Sequence, residues 1–102
     1  MTDLEITALC AEAMGINYHG QNQAWKNSEF DGMLVTYEYD PLHHDAQAMA
    51  LVRRFKLFVE PPVRGISYGW ECFPQGDTEP RGTGELNRAI CECVAKMQKA
   101  KR

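Results

Sequence analysis

The residues best suited to hold an anion lie in the last third of the chain. Gly82-Thr83-Gly84 stands just before a helical pattern, with Arg81 ahead of it and Arg88 one turn beyond. Unpaired N–H groups at a helix start carry about half a positive charge. Glycines let a backbone come close with no Cβ in the way, and a guanidinium can hold one anion with two donors. A phosphate is the chemistry such a set would suit. Arg64, on a loop, and Arg53 and Arg54, at a helix end, would extend it into a basic rim if the loop ends converge. Trp25 or Tyr68 would then be near for stacking. A helix capped by Thr83, with arginines scattered in solvent, explains the same residues with fewer assumptions.

Other reactive residues form weaker patterns. His43-His44-Asp45 looks like a metal cluster, but adjacent histidines on an extended turn point apart, and zinc usually takes three or four protein ligands. His19 is the one remaining histidine, so the segment reads as an exposed helix entry. Of the four cysteines, Cys91 and Cys93 form a C-x-C within a helical pattern. Two residues apart on a helix means about 200° apart, which separates the two thiols. Cys10, Cys72, Cys91 and Cys93 are therefore expected as buried, reduced thiols. No nucleophile elbow, H-E-x-x-H or phosphate-loop motif occurs, and no metal, cofactor or enzymatic activity is expected. Trp25 and Tyr18, large side chains in a polar stretch without clear periodicity, are interface candidates.

These residues must be positioned by one small domain, residues 1–102. The chain is 44% hydrophobic and 25% charged, with a net charge of -3. That composition suits one core and offers no bulk charge for nucleic acid or anionic membranes. Neither a membrane-spanning run nor a signal peptide is evident, so a cytoplasmic location is expected.

A capping box at Thr2 and Glu5 opens a helix over about Asp3 to Met14, with Ile6, Leu9, Cys10, Ala13 and Met14 on one stripe. Gly15 suits its C-terminal turn. Asn17 to Asn27 reads mostly as loop, with a short strand near Ala24 to Lys26, and Phe30-Asp31-Gly32 as a turn. Met33, Val35, Tyr37 and Tyr39 alternate as in a strand. A second helix buries Ala48, Leu51, Val52 and Phe55. Leu57-Phe58-Val59 reads as an inner strand, forming a hairpin with the alternating Ile66, Tyr68, Trp70 and Cys72. Gln75 to Gly84 reads as an exposed loop. The last helix buries Leu86, Ala89, Ile90, Cys93, Val94 and Met97, with Thr83 as its N-cap. Leu51, Val52, Phe55, Trp70, Ile90 and Val94 are expected to share one core. The fold class is α+β: a mainly antiparallel sheet of three or four strands sandwiched by three helices, in the order α-β-α-β-β-α.

Three helix signatures carry a resemblance. They are L-C-A-E-A-M-G at Leu9 to Gly15, D-P-L-H-H-D-A-Q-A-M-A-L-V-R-R-F-K-L at Asp40 to Leu57, and L-N-R-A-I-C-E-C-V-A-K-M at Leu86 to Met97. The chain resembles the phage ABA sandwich domain family over nearly its whole length. His43-His44 departs from the Ser, Thr or Asp that the family often has there. The resemblance implies a sheet between helices and a phage or prophage origin, and it implies no reaction. The expected function is a non-enzymatic accessory protein binding a host macromolecule. The alternative is a binder of a small phosphorylated ligand such as a nucleotide signal. A homo-oligomer is compatible with either.

Overall fold

Helix α1 (Asp3–Met14) begins and ends at the residues its capping signals specify. The Thr2 hydroxyl accepts from the Glu5 N–H at 3.2 Å. Gly15 takes a left-handed φ of 71°. Its N–H donates to Glu12, and the N–H of Ile16 reaches back to Ala11, which satisfies two end carbonyls. These coordinates, a computed structural model, describe residues 1–28, 30–63, 69–76 and 81–101.

The segment after α1 corrects the sequence reading. It is not mostly loop but two paired strands, β1 (Asn17–Gly20) and β2 (Gln23–Asn27), followed by β3 (Leu34–Glu38) in an antiparallel sheet ordered β1-β2-β3. The turn that joins β1 to β2 has both central residues at positive φ, Gln21 at 53° and Asn22 at 61°. Such a two-residue turn normally announces itself with Asn-Gly or Asp-Gly, and Gln-Asn gives no such signal. Other contacts hold it. The Tyr18 hydroxyl accepts from the Asn22 N–H at 3.0 Å, and the Tyr39 N–H donates to the Asn22 carbonyl at 2.8 Å.

Helix α2 (Asp45–Phe55) ends at Lys56, itself left-handed at φ 53°. A second antiparallel sheet follows, ordered β4-β5-β6, from β4 (Leu57–Glu60), β5 (Trp70–Pro74) and β6 (Gly82–Gly84). The expected β4–β5 hairpin pairing is present, with Val59 opposite Cys72. Two expectations change. β4 is an edge strand, not an inner one, and Phe58 is exposed. Gly82-Thr83-Gly84, expected as loop and cap, is an edge strand opposite Trp70, Glu71 and Cys72. Ile66 and Tyr68 lie outside the described residues.

Helix α3 (Leu86–Ala100) is the centre of the molecule, packed against α1, α2, β5 and β6. It buries Ala89, Ile90, Cys91, Cys93, Val94 and Ala95, more than the single stripe expected, because neighbours flank it on two sides. The C-x-C shows the layering. Cys91 meets Cys10 of α1, and Cys93, about 200° around the helix, meets Cys72 of β5. So α3 is the middle layer between α1 and the second sheet. Leu51, Ile90 and Val94 are in the core, with Val52, Phe55 and Trp70 half-buried against it. All four cysteines are buried, and none is in a disulfide.

The α+β class stands: three helices and six strands among the described residues, with the strands divided between two sheets where one was expected. The extents are 53 × 27 × 24 Å and the radius of gyration is 14.4 Å. A compact chain of about 100 residues has a radius near 13 Å, so the body is drawn out along one axis. No helix among the described residues is long and apolar enough to cross a membrane.

Candidate functional site

The entry to α3 is built differently from the anion cradle the sequence suggests. Thr83 is not the N-cap. It sits in β6 opposite Glu71, and Glu85 caps the helix, its carboxylate accepting from the Asn87 N–H at 3.4 Å. A carboxylate thus occupies the position an incoming anion would take. Gly82 serves close packing: a Cβ there would come within 2.8 Å of the Cys93 backbone nitrogen. Gly84 supplies a φ of 118° at the bend into the helix.

Arg81 and Arg88 are committed to carboxylates. Arg88 reaches Asp3 at 2.7 Å and Glu92 at 3.7 Å. Hydrogen bonding to Asp3 pushes its guanidinium above the usual range. Lys96 pairs with Glu92 at 3.3 Å and donates to the Arg81 carbonyl at 2.8 Å. Arg81 pairs with Glu71 at 3.1 Å and lies over the Phe73 ring, 5.2 Å from its centroid. Three cations, Arg81, Arg88 and Lys96, face three carboxylates, Asp3, Glu71 and Glu92, and no surplus positive charge remains. Arg64 lies outside the described residues.

The histidines go separate ways. His43 Nδ1 is 2.8 Å from Asp40, and His44 Nε2 is 3.3 Å from Glu38. No group of three His, Cys, Asp or Glu among the described residues is gathered for a metal ion. Their segment is a joint between β3 and α2. Gln47 spans it, accepting from the Asp40 N–H and donating to the Glu38 carbonyl at 2.7 Å. Buried Asn87 of α3 fixes the start of α2 by donating to Asp45 at 2.9 Å.

The first sheet carries the most unusual surface. Its register puts Tyr18, Ala24 and Tyr37 on one face, towards the core, and Asn17, Trp25 and Thr36 on the other. Tyr18 is a structural residue there: it braces the turn at Asn22 and packs edge-on against Tyr39, 6.3 Å between centroids. Trp25 is half-buried on the outer face, edge-on to His19 at 5.2 Å. Leu34 shares that face, diagonal to Trp25. Beyond them the β2–β3 hairpin extends into a closed tip, where the Ser28 N–H donates to the Met33 carbonyl at 2.7 Å and Asp31 accepts from the Met33 N–H at 3.0 Å. The tip presents apolar side chains to solvent: Phe30 is 98% exposed, Met33 67% and Leu34 63%. Near the other end of the sheet, Gln21, Asn22, Gln23, Thr36, Tyr37 and Glu38 line an open, polar cleft of about 400 Å³.

Sequence reasoning singled out Trp25 but missed its companions. Met33 and Val35 read only as one face of an alternating strand, and alternation gives a strand's faces but not how far the body beneath it extends. Comparison with known proteins adds no relative: no family model, no curated protein and no solved structure matches the chain.

Proposed function

We propose that this chain is a non-catalytic binding module, an accessory protein of phage or prophage kind, which grips a host protein with its β2–β3 hairpin. The observation that carries the reading is the set of exposed apolar side chains at the hairpin tip, Phe30, Met33 and Leu34, with Leu34 on the same face of the sheet as Trp25. Exposed apolar patches on a small domain mark interaction surfaces, and aromatic side chains contribute most where such surfaces bind. Hydrogen bonds from Ser28 to Met33 and from Met33 to Asp31 brace the backbone beside these side chains, and bracing of this kind lowers the entropic cost of docking.

The alternative, a small phosphorylated ligand held by Arg88, Thr83, Gly84, Arg81 and Arg64, draws less support. Glu85 stands at the helix start, and Arg81 and Arg88 are already paired.

Bacterial lysate passed over the immobilised protein, followed by mass spectrometry, identifies a candidate partner. Titration of that purified partner against wild type and the Phe30→Ser, Leu34→Ser double variant is the decisive measurement. The variant should lose at least tenfold in affinity while keeping the wild-type melting temperature. Equal affinity in a folded variant overturns the reading. Amide shifts confined to Thr83–Arg88 on adding a nucleotide would favour the alternative.

A further inference from the structure

The outer strands of a sheet turn a row of N–H and C=O groups away from their one neighbour, and such edges pair readily unless they are blunted. Among the described residues, three of the four edges are blunted. β1 has an irregular register and packs on α1. β6 is three residues long and packs on α3. β4 runs into Pro61-Pro62 after four residues. β3 has none of these devices. Its five residues keep a regular register with β2, the element it packs against. Its one charged residue, Glu38, stands at its end. The Tyr39 N–H donates to Asn22 at one end of the β2–β3 ladder, and the Ser28 N–H donates to Met33 at the other. Alternation between those two bonds assigns the backbone of Val35 and Tyr37 to β2. Leu34 and Thr36 therefore turn their N–H and C=O groups outward, and no described hydrogen bond outside that ladder reaches them. Glu38 also faces out, but its carbonyl already accepts from Gln47.

We propose that β3 pairs with β3 of a second copy of this chain, antiparallel about a two-fold axis at Val35, so that two three-stranded sheets join into one. The open groups select the register. With the axis at Val35, Leu34 lies opposite Thr36 of the second copy, and each such pair exchanges both of its hydrogen bonds. Every open group of Leu34 and Thr36 is then used, and the carbonyl that Gln47 holds is not needed. An axis at Thr36 would need that carbonyl and would set Glu38 against Leu34. The side chains agree with the first register. On one face Val35 meets Val35, and Met33 meets Tyr37, an apolar row. In the single chain Met33 is 67% exposed and Val35 37%. Direct pairs of aromatic and β-branched side chains stabilise neighbouring strands. No like charges meet, because Glu38 falls opposite Gly32 and Asp31 opposite Tyr39. The contact uses the same strand from both copies and leaves only the irregular β1 strands at the new edges, so assembly closes at two. The pairing requires no host partner.

Sedimentation equilibrium of the intact protein over a range of concentrations is the first measurement, and it should show a monomer–dimer equilibrium. Thr36→Pro removes an outward N–H, a change that an edge strand tolerates. Val35→Glu sets two like charges face to face at the axis. Each variant should keep the wild-type melting temperature and weaken dimerisation by about tenfold or more, the effect of losing two hydrogen bonds or gaining one repulsion. The register has its own readout. Val35→Cys should cross-link to its copy under mild oxidation, since facing residues of such a pair have Cα atoms about 4.5 Å apart. Thr36→Cys, about 7 to 8 Å from its copy along the diagonal, should not. A chain that stays monomeric up to about 1 mM overturns the proposal. So does a dimer that both folded variants leave unchanged, or cross-linking of Thr36→Cys ahead of Val35→Cys. If the chain is monomeric and Thr36→Pro instead weakens binding of the purified host partner, the edge belongs to that partner and self-pairing is overturned. A dimer of the expected register that captures no host protein upholds the pairing while the binding reading fails.

Discussion

Arg88 and Asp3, 85 positions apart in sequence, meet at 2.7 Å and join the first turn of α3 to the first turn of α1. The pair is largely exposed, and exposed pairs contribute about 0 to 1 kcal/mol. Arg88→Ala should therefore lower stability by less than about 1 kcal/mol. The loss should shrink in high salt, since screening weakens surface charges. Denaturant unfolding at low and high ionic strength measures both. A loss well above that range would show that Arg88 does more than hold this corner.

Gly82 is the point where β6 touches α3. Gly82→Ala forces a Cβ within 2.8 Å of the Cys93 nitrogen and the Ala89 carbonyl carbon, both backbone. Neither can step aside as a flexible side chain would. Overpacking of this kind costs on the order of 1 to 3 kcal/mol or more. Gly76→Ala is the control: unlike Gly82 it sits in a turn, at φ 82°, and its Cβ would meet open space. It should pay only the backbone strain, about 1 to 2 kcal/mol. Thermal melts of the two variants, each also followed by near-ultraviolet circular dichroism of Trp70, separate crowding from strain.

Tyr39 carries a buried hydroxyl with no hydrogen-bond partner among the described residues. An unsatisfied buried polar group costs about 1 to 3 kcal/mol, so Tyr39→Phe should be neutral or stabilising by on the order of 1 kcal/mol. The sign with pH follows from burial, which raises this phenol above its ordinary 10.0, helped by Cys10 and Cys91. The unfolded chain then loses the proton first. Wild type should lose stability as pH rises past about 10, and the Phe variant should lack that share of the loss. Urea midpoints of both proteins at pH 7 and above pH 10 give the difference. A destabilised Phe variant at pH 7 would reveal a partner for the hydroxyl.

What the sequence made legible was whatever local chemistry decides. α1 can be read to the residue because the Thr2 hydroxyl accepts the Glu5 N–H at one end and Gly15 closes the last turn at the other. The strand pairing of β4 with β5 followed from two apolar runs. The misses have one physical source, interactions between residues far apart in sequence. Gln21 and Asn22 are poor turn residues in isolation, and Tyr18 and Tyr39 make the turn tenable. Gly82-Thr83-Gly84 looks like a cap until α3 and β5 press on it from both sides. The arginines looked free because their partners, Asp3 and Glu71 above all, are distant along the chain. Trp25 stood out by type and place. Phe30, Met33 and Leu34 could not, since exposure is decided by where the body ends beneath them.

The central position of α3 sets a timetable for the chain as it is made. Both α1 and the β4–β5–β6 sheet bury their apolar faces against a helix that is synthesised after either of them. Until residues 86–100 leave the ribosome, α1 and β5 lack the helix that both pack against. Local pieces such as α1 and the β1–β2 hairpin can form early, but the cooperative step waits for contacts that span most of the sequence. Such long-range closure is slow relative to helix formation, and the waiting intermediates expose apolar surface that invites chaperones.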